Sequence, residues 1–101
     1  MNAGEKQDSG KARWDAVPSQ AMAAVVDVLT YGAEKYDETP GDEPNWTRVE
    51  NGRRRFWTAA QRHLWANRNE EHLDAGTGCP HLACAIADLL FVLELEIREG
   101  L

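Results

Sequence analysis

The sequence predicts an all-α protein, a small bundle of three to four main helices. Three segments of helix length carry apolar residues at helical spacing, and stretches rich in Gly, Pro and Asn separate them. No segment shows the alternating pattern of a β-strand. A chain of 101 residues forms one domain, and a domain of this size buries only a modest fraction of its surface on folding. We therefore expect copies of the chain to associate.

The first third of the chain predicts a flexible arm and one helix. Residues 1–12 are polar, Gly-rich and without an apolar period, which is typical of a mobile arm ahead of a domain over residues 13–101. Ser19 is placed to cap a helix over residues 20–38. Its apolar residues recur at i, i+3, i+4 and i+7 spacing: Met22, Val25, Val26, Leu29, Ala33 and Tyr36.

The remainder predicts a long loop and two further helices. Residues 39–52 contain turn-forming residues that cannot continue a helix, and loops of this length in compact domains are often functional. A second helix is predicted over residues 53–67, followed by a polar linker over residues 69–78. Pro80 then opens a strongly apolar helix over residues 81–98. Because this helix is apolar nearly all round, it must be central to the bundle or shared with another subunit.

Composition excludes several classes of function. The formal net charge of −6, from 17 acidic and 11 basic residues, argues against a nucleic-acid binder and suits cation binding. No apolar run approaches the roughly 20 residues that span a bilayer, and the N-terminus does not resemble a signal peptide. Cys79 and Cys84 are too close in sequence to close a useful loop, so free thiols are expected. We expect a cytoplasmic protein without nucleic-acid or membrane partners.

Three sets of carboxylates are candidates for chemistry. Asp88 lies in an apolar segment, where a carboxylate is costly unless it binds a metal or pairs with a basic residue of another helix. Glu71 and Asp74 have ExxD spacing, which on helical backbone presents both groups to one cation but is also common on solvated surfaces. Glu34 and Glu38 form an i, i+4 pair at the end of the first helix, where acidic groups oppose the helix dipole and need compensation.

Carboxylates from several helices favour Mg²⁺ or Mn²⁺, since these ions prefer oxygen ligands. Such ions neutralise phosphate charge, so a phosphate-bearing substrate is indicated. Arg62 would grip a phosphate or pair with a carboxylate in the core. Trp46 would cap the core or stack on a base. A zinc set of His72, His81 and Cys84 is disfavoured, because carboxylates outnumber the softer ligands.

A family resemblance rests on several segments taken in order. GKARWDAVP, VLTYGAEKY, the pair Asn45-Trp46, AAQRHL, the pair Glu71 and Asp74, and TGCPHLACAIADLLFVLE resemble the phage dATP/dGTP diphosphohydrolases, which are related to the MazG-like all-α pyrophosphohydrolases. The resemblance covers residues 10–97. It implies a MazG-like bundle completed by oligomerisation, as a homodimer or homotetramer.

The resemblance also implies an activity and a set of site residues. The reaction would be cleavage between the α- and β-phosphates of a nucleoside triphosphate, with about two or three Mg²⁺ or Mn²⁺ ions held by carboxylates. Whether Glu71 with Asp74, or Asp88, completes the ligand set stays open. The implied metal ligands are Glu34, Glu38, Glu71, Asp74 and Asp88. The implied catalytic residues are Glu38, which would orient or deprotonate water, and Lys35. The implied substrate-binding residues are Lys11, Arg13, Lys35, Asn45, Trp46, Arg62, His63 and His81.

The substrate is expected to be a purine nucleoside triphosphate. The resemblance favours dGTP or GTP, with dGMP or GMP as product, supplying modified-purine synthesis for a phage in its host's cytoplasm. Two alternatives stay open. One is a house-cleaning hydrolase of another nucleotide, such as dATP, dUTP or dCTP, and the other is a non-catalytic helical interaction module. No hydrogen-bonding group in the sequence distinguishes guanine from adenine.

Overall fold

Three α-helices form the structure, a computed structural model that describes residues 3–36 and 38–101. They are α1 (Ser19–Lys35), α2 (Gly52–Arg68) and α3 (His81–Arg98), and short 3-10 turns cover Trp14–Ala16 and Asn45–Arg48. The described residues contain no β-strand, so the all-α prediction is confirmed. Residues 3–12 are exposed, whereas residues 1 and 2 of the predicted arm lie outside the described residues. The arm and its boundary stay a prediction.

Helix α1 ends earlier than its apolar pattern predicts. Tyr36 leaves helical backbone (φ −101°, ψ 12°), and the backbone N–H of Glu38 donates to the Ala33 carbonyl at 3.0 Å. These contacts satisfy carbonyls of the last turn and stop the helix at Lys35. The prediction of an i, i+4 pair on one helix is therefore wrong, because Glu34 is helical and Glu38 lies beyond the helix.

Small side chains let the helices approach closely. Helix α3 packs along α2 and also against α1. Val25 of α1 is buried against Ala83 and Ala87 of α3, and Ala60 of α2 is equally buried. Val25 is the only large side chain that is fully buried among the described residues. The core is therefore thin, as expected for so short a chain.

Helix α3 has the bounds that its sequence predicts, yet only one of its faces is covered. The buried side includes Cys84 and Val92, whereas large apolar residues on the other side remain exposed. We call this exposed set the α3 stripe: Leu82, Ile86, Leu93 and Ile97. The described part of the chain measures 56 × 33 × 28 Å and leaves the stripe bare. None of its helices is long and apolar enough to cross a membrane.

The long loop before α2 is fastened to α3 by aromatic and ionic contacts. The Trp46 ring stacks on Phe91 with centroids 4.9 Å apart and an interplanar angle of 15°. The Arg98 guanidinium lies 5.3 Å from the centre of the same indole ring and contacts Glu94 and Glu43, each at 3.0 Å. Trp46 thus caps the core on one of its faces.

The linker between α2 and α3 folds into a short hairpin, residues 69–80. The backbone N–H of His81 donates to the His72 carbonyl, and that of Asp74 donates to the Cys79 carbonyl, both at 2.8 Å. Gly78 has φ +74°, a conformation that glycine adopts without strain. The ExxD pair therefore does not lie on helical backbone, because these hydrogen bonds close a turn instead. Both cysteines are free, as expected.

Candidate active site

A cleft of about 810 Å³ opens between α1, the long loop and the α2–α3 pair. Each of these elements contributes side chains to it. Several predicted site residues line the cleft: Lys35, Glu38, Asn45, Trp46, Arg62 and Asp88. The fold thus brings basic, acidic and aromatic groups from distant parts of the sequence around one space that is large enough for a small molecule.

Asp88 is the most perturbed acid of the cleft. Its side chain is 15 % exposed, and burial raises its pKa to about 7, although the positive charge of Arg62 opposes the shift. The His63 Nε2 atom lies 3.9 Å from Asp88 Oδ2, too far for a hydrogen bond. A carboxyl that changes charge near neutral pH is typical of a functional site. The sequence analysis selected the same residue because its neighbours in the chain are apolar.

The cleft also contains polar residues that the sequence reasoning missed. Glu94 lines it two turns after Asp88, and Tyr31 lines it from α1. A signal for Glu94 was present, because Asp88, Phe91 and Glu94 follow helical spacing on one face of α3. Tyr31 becomes recognisable only when the helices are assembled.

A second group of polar side chains lies where α2, the hairpin and α3 meet. His63 and His81 approach each other with 2.8 Å between their Nδ1 atoms. The Glu71 Oε2 atom lies 3.5 Å from His81 Nε2. His63, Asp74 and His81 each offer a metal-ligating atom, and these three atoms lie within 4.8 Å of one another. Hence Glu71 and Asp74 gather around two imidazoles and do not line the cleft that contains Asp88.

The protonation of this group follows from its contacts. The Thr77 hydroxyl and backbone N–H both donate to Asp74 Oδ2 at 2.9 Å, and the hydroxyl contributes most to a lowered Asp74 pKa. Burial lowers the pKa of His63, and the neighbouring His81 lowers it further. The Asp74 carboxylate therefore lies beside two imidazoles, and the lowered pKa of His63 favours the neutral form of that ring.

Other predicted residues lie outside both groups. Glu34 is exposed on α1 and does not line the cleft. Arg13 forms an exposed bidentate pair with Asp15, at 2.7 and 2.8 Å. Lys11 is exposed and is likewise absent from the cleft lining. The structure therefore does not bring these three residues to the cleft.

Comparison with known protein families identifies the chain. The family model described as dATP/dGTP diphosphohydrolase, N-terminal, matches residues 1–101. The chain belongs to this family. No curated protein and no solved structure matches it.

Membership of the dATP/dGTP diphosphohydrolase family supports hydrolysis of nucleoside triphosphates as the activity. The cleft has groups suited to such a substrate, since Lys35 and Arg62 offer positive charge for phosphates and Trp46 offers an aromatic surface. Glu38 and Asp88 offer oxygen donors in the same space. Ionising the unpaired Asp88 is costly, and a bound cation would offset that cost. Carboxylate oxygens are the donors that Mg²⁺ and Mn²⁺ prefer.

Proposed function

We propose that the chain cleaves purine nucleoside triphosphates between the α- and β-phosphates, releasing pyrophosphate and a nucleoside monophosphate. The observation that carries this proposal is the cleft, in which the perturbed Asp88 lies together with Lys35, Arg62 and Trp46. The family membership supports the reaction class. A purely structural role would not require an acid with a pKa of about 7 beside basic side chains in a cleft.

The side chains of the cleft have different roles in this reaction. Lys35 and Arg62 hold phosphate oxygens and offset charge that builds up in the transition state. Trp46 and Asn45 contact the base or the sugar. Glu38 orients a water molecule toward the α-phosphorus and accepts its proton as the new P–O bond forms. The bond from the α-phosphorus to the bridging oxygen breaks, and the electron pair leaves with pyrophosphate.

The cleft carboxylates would hold Mg²⁺ or Mn²⁺ as the cofactor. Asp88 and Glu38 are the ligands in this proposal because both line the cleft, and Glu94 adds a third carboxylate to the same lining. A bound ion of this type supplies neutralisation of phosphate charge and a more acidic water. Glu34, Glu71 and Asp74, which the sequence reasoning included, lie outside this lining and would need movement to join it.

The preferred substrate in this proposal is dGTP or GTP. The resemblance extends to MazZ, a MazG-like enzyme of phages that replace adenine with 2-aminoadenine, and dGMP would then supply synthesis of the modified purine in the host cytoplasm. The family description names both dATP and dGTP, so dATP is the first competing substrate. The preference rests on the resemblance.

A second copy of the chain would cover the α3 stripe, giving a homodimer or homotetramer. The stripe is continuous along the helix, from Leu82 through Ile86 and Leu93 to Ile97, and its residues are 41 to 54 % exposed. Patches of this kind on small proteins mark interaction surfaces. The thin core within one chain gives the association an energetic reason.

The proposal is tested by measuring both products. The chain is incubated with each common dNTP and NTP in the presence of Mg²⁺ or Mn²⁺, and pyrophosphate and orthophosphate are quantified separately. We expect pyrophosphate with dGTP or GTP. Release of orthophosphate would refute cleavage between the α- and β-phosphates, and no release from any nucleotide would favour the non-catalytic interaction module. Turnover confined to dUTP or dCTP would favour a house-cleaning enzyme.

A charge-matched pair of variants assigns the reaction to the cleft. Lys35→Ala removes a cation from the lining, and we expect kcat/KM to fall about 100-fold. Lys6→Ala removes the same charge from an exposed position outside the lining and should leave turnover unchanged. Equal activities of the two variants would place the reaction elsewhere.

A further inference from the structure

His81 presents a buried atom without a hydrogen-bonding partner. The residue is 6 % exposed, and its Nε2 atom forms no hydrogen bond. Glu71 is the carboxylate opposite this atom, at 3.5 Å, yet the contact is not a hydrogen bond. Buried polar atoms almost always have partners, because removing them from water without replacement is costly. This atom therefore requires a separate explanation.

The contact between the two imidazoles leaves too few N–H protons for the hydrogen bonds that the rings could form. Two neutral rings carry one N–H each, and the 2.8 Å contact between the Nδ1 atoms of His63 and His81 requires one of those protons. Only one Nε2 atom then retains a proton, although both face carboxylates: Asp88 for His63, and Glu71 for His81. The other Nε2 directs a lone pair toward an acidic group. A positive ion at this junction would remove the conflict.

The distances suit one metal ion. Zn²⁺ binds imidazole nitrogen and carboxylate oxygen at about 2.0–2.2 Å, so two ligands of a tetrahedral ion lie about 3.4 Å apart. His63, Asp74 and His81 each offer a ligating atom, and these three atoms already lie within 4.8 Å of one another.

We propose that His63, Asp74 and His81 bind a divalent transition-metal ion of the zinc class, with water as the fourth ligand. Two imidazole nitrogens favour such an ion over Mg²⁺, which prefers oxygen ligands only. The site uses a different donor set from the all-oxygen donors of the cleft, which it adjoins at the 3.9 Å contact of His63 with Asp88, and it extends beyond the proposed hydrolysis.

Its position defines its role. His63 belongs to α2, Asp74 to the hairpin and His81 to the first turn of α3, so one ion ties three segments together. The hairpin also contacts α1, through a 3.4 Å hydrogen bond from the Tyr31 hydroxyl to the Gly76 carbonyl. An ion that binds only the folded chain stabilises it by mass action. The zinc-class ion therefore holds the hairpin against α2 and α3.

Sequence reasoning considered His72, His81 and Cys84 as a zinc set and disfavoured it because carboxylates outnumber the softer ligands. His72 lies outside the cluster, with its Nδ1 atom 3.0 Å from the Asn67 side-chain oxygen. This arrangement makes His72 a matched control, since it is an exposed histidine of the same hairpin. Substitution of His72 should leave metal affinity intact, whereas substitution of His63 or Asp74 should not.

The test is metal binding by the full chain without an affinity tag. Chelator-treated protein is titrated with Zn²⁺ by calorimetry in millimolar Mg²⁺, and bound metal is counted by mass spectrometry after gel filtration. Co²⁺ serves as a spectroscopic probe. We expect one zinc ion per chain, visible d–d absorption from four-coordinate cobalt, and a higher melting temperature. His63→Gln and Asp74→Asn should each weaken zinc binding at least about tenfold, and His72→Gln should not.

Several results would overturn the site. These are no zinc binding by the wild type, displacement of zinc by Mg²⁺, unchanged affinity in both His63→Gln and Asp74→Asn, or an equal loss in His72→Gln. His81 is left intact because it is buried at the start of α3 and its replacement endangers folding. The readout is independent of turnover. A chain that binds zinc without releasing pyrophosphate refutes the hydrolase proposal alone, and one that releases pyrophosphate without binding zinc refutes only this site.

Discussion

Replacing Asp88 by asparagine should stabilise the metal-free protein at alkaline pH. The pKa of this carboxyl rises from an ordinary value of 3.8 to about 7 on folding, mainly because the group is buried. Between these two values the folded state binds more protons than the unfolded state, so the free energy of unfolding falls as the pH rises. The contribution of the protonated Asp88 carboxyl to the free energy of unfolding is complete below about pH 4 and is lost once the pH exceeds 7. Asparagine does not ionise, so the variant does not lose this stability as the pH rises.

The size of the effect follows from the same linkage. The pKa difference between 3.8 and about 7 corresponds to about 4 kcal/mol of unfolding free energy if the whole shift contributes. Since the side chain retains 15 % exposure and gains hydration through small movements, we expect about half of that value, or about 2 kcal/mol. In a domain of this length such a difference shifts the melting temperature by about 10 °C.

The assay is urea unfolding at pH 5 and pH 8, with chelator present and at one fixed protein concentration because association affects stability. The advantage of Asp88→Asn over the wild type should be larger at pH 8. Asp27→Asn, a change at an exposed α1 carboxylate, supplies the charge-matched control and should show no such growth. Parallel pH curves for the wild type and Asp88→Asn would refute the claim that burial perturbs this acid.

Three further substitutions test packing and association. Val25→Ala removes two methyl groups from the only fully buried large side chain among the described residues and should cost about 2 kcal/mol in urea unfolding; a loss below about 0.5 kcal/mol would contradict the assigned core. Trp46→Ala removes the stack on Phe91 and should make residues 39–51 more susceptible to limited proteolysis, while an unchanged cleavage pattern would show that the stack does not hold the loop. Ile86→Glu places a charge in the α3 stripe and should lower the mass measured by light scattering to that of one chain; an unchanged larger mass would exclude the stripe as the interface.

The helical architecture was predictable because it depends on local pattern. The bounds of α3 follow from an apolar run between Pro80 and the polar C-terminus, and the structure has the same bounds. The end of α1 did not follow, since the apolar period continues to Tyr36 while backbone hydrogen bonds stop the helix at Lys35. A periodicity measures which side chains face the core and contains little information on where the backbone turns.

The candidate site was predictable only in part. Asp88 could be identified because a charge in an apolar helix demands a partner wherever the helix packs. The association of Asp74 with His63 could not be identified, because their contact depends on the hairpin folding back against α2. Spacing rules for metal ligands assume a helix, and residues 71–74 are not helical. Non-local geometry decided which carboxylates share a site.

Helix α3 carries two surfaces on the same few turns. Asp88, Phe91 and Glu94 line the cleft, while Ile86 and Leu93 on neighbouring positions belong to the exposed stripe. A partner that packs against the stripe therefore restricts the cleft wall directly, through one rigid helix. By thermodynamic reciprocity, if association changes the affinity for a nucleotide, the nucleotide changes the association constant by the same factor. Ligand concentration would then regulate assembly, and assembly would regulate ligand affinity.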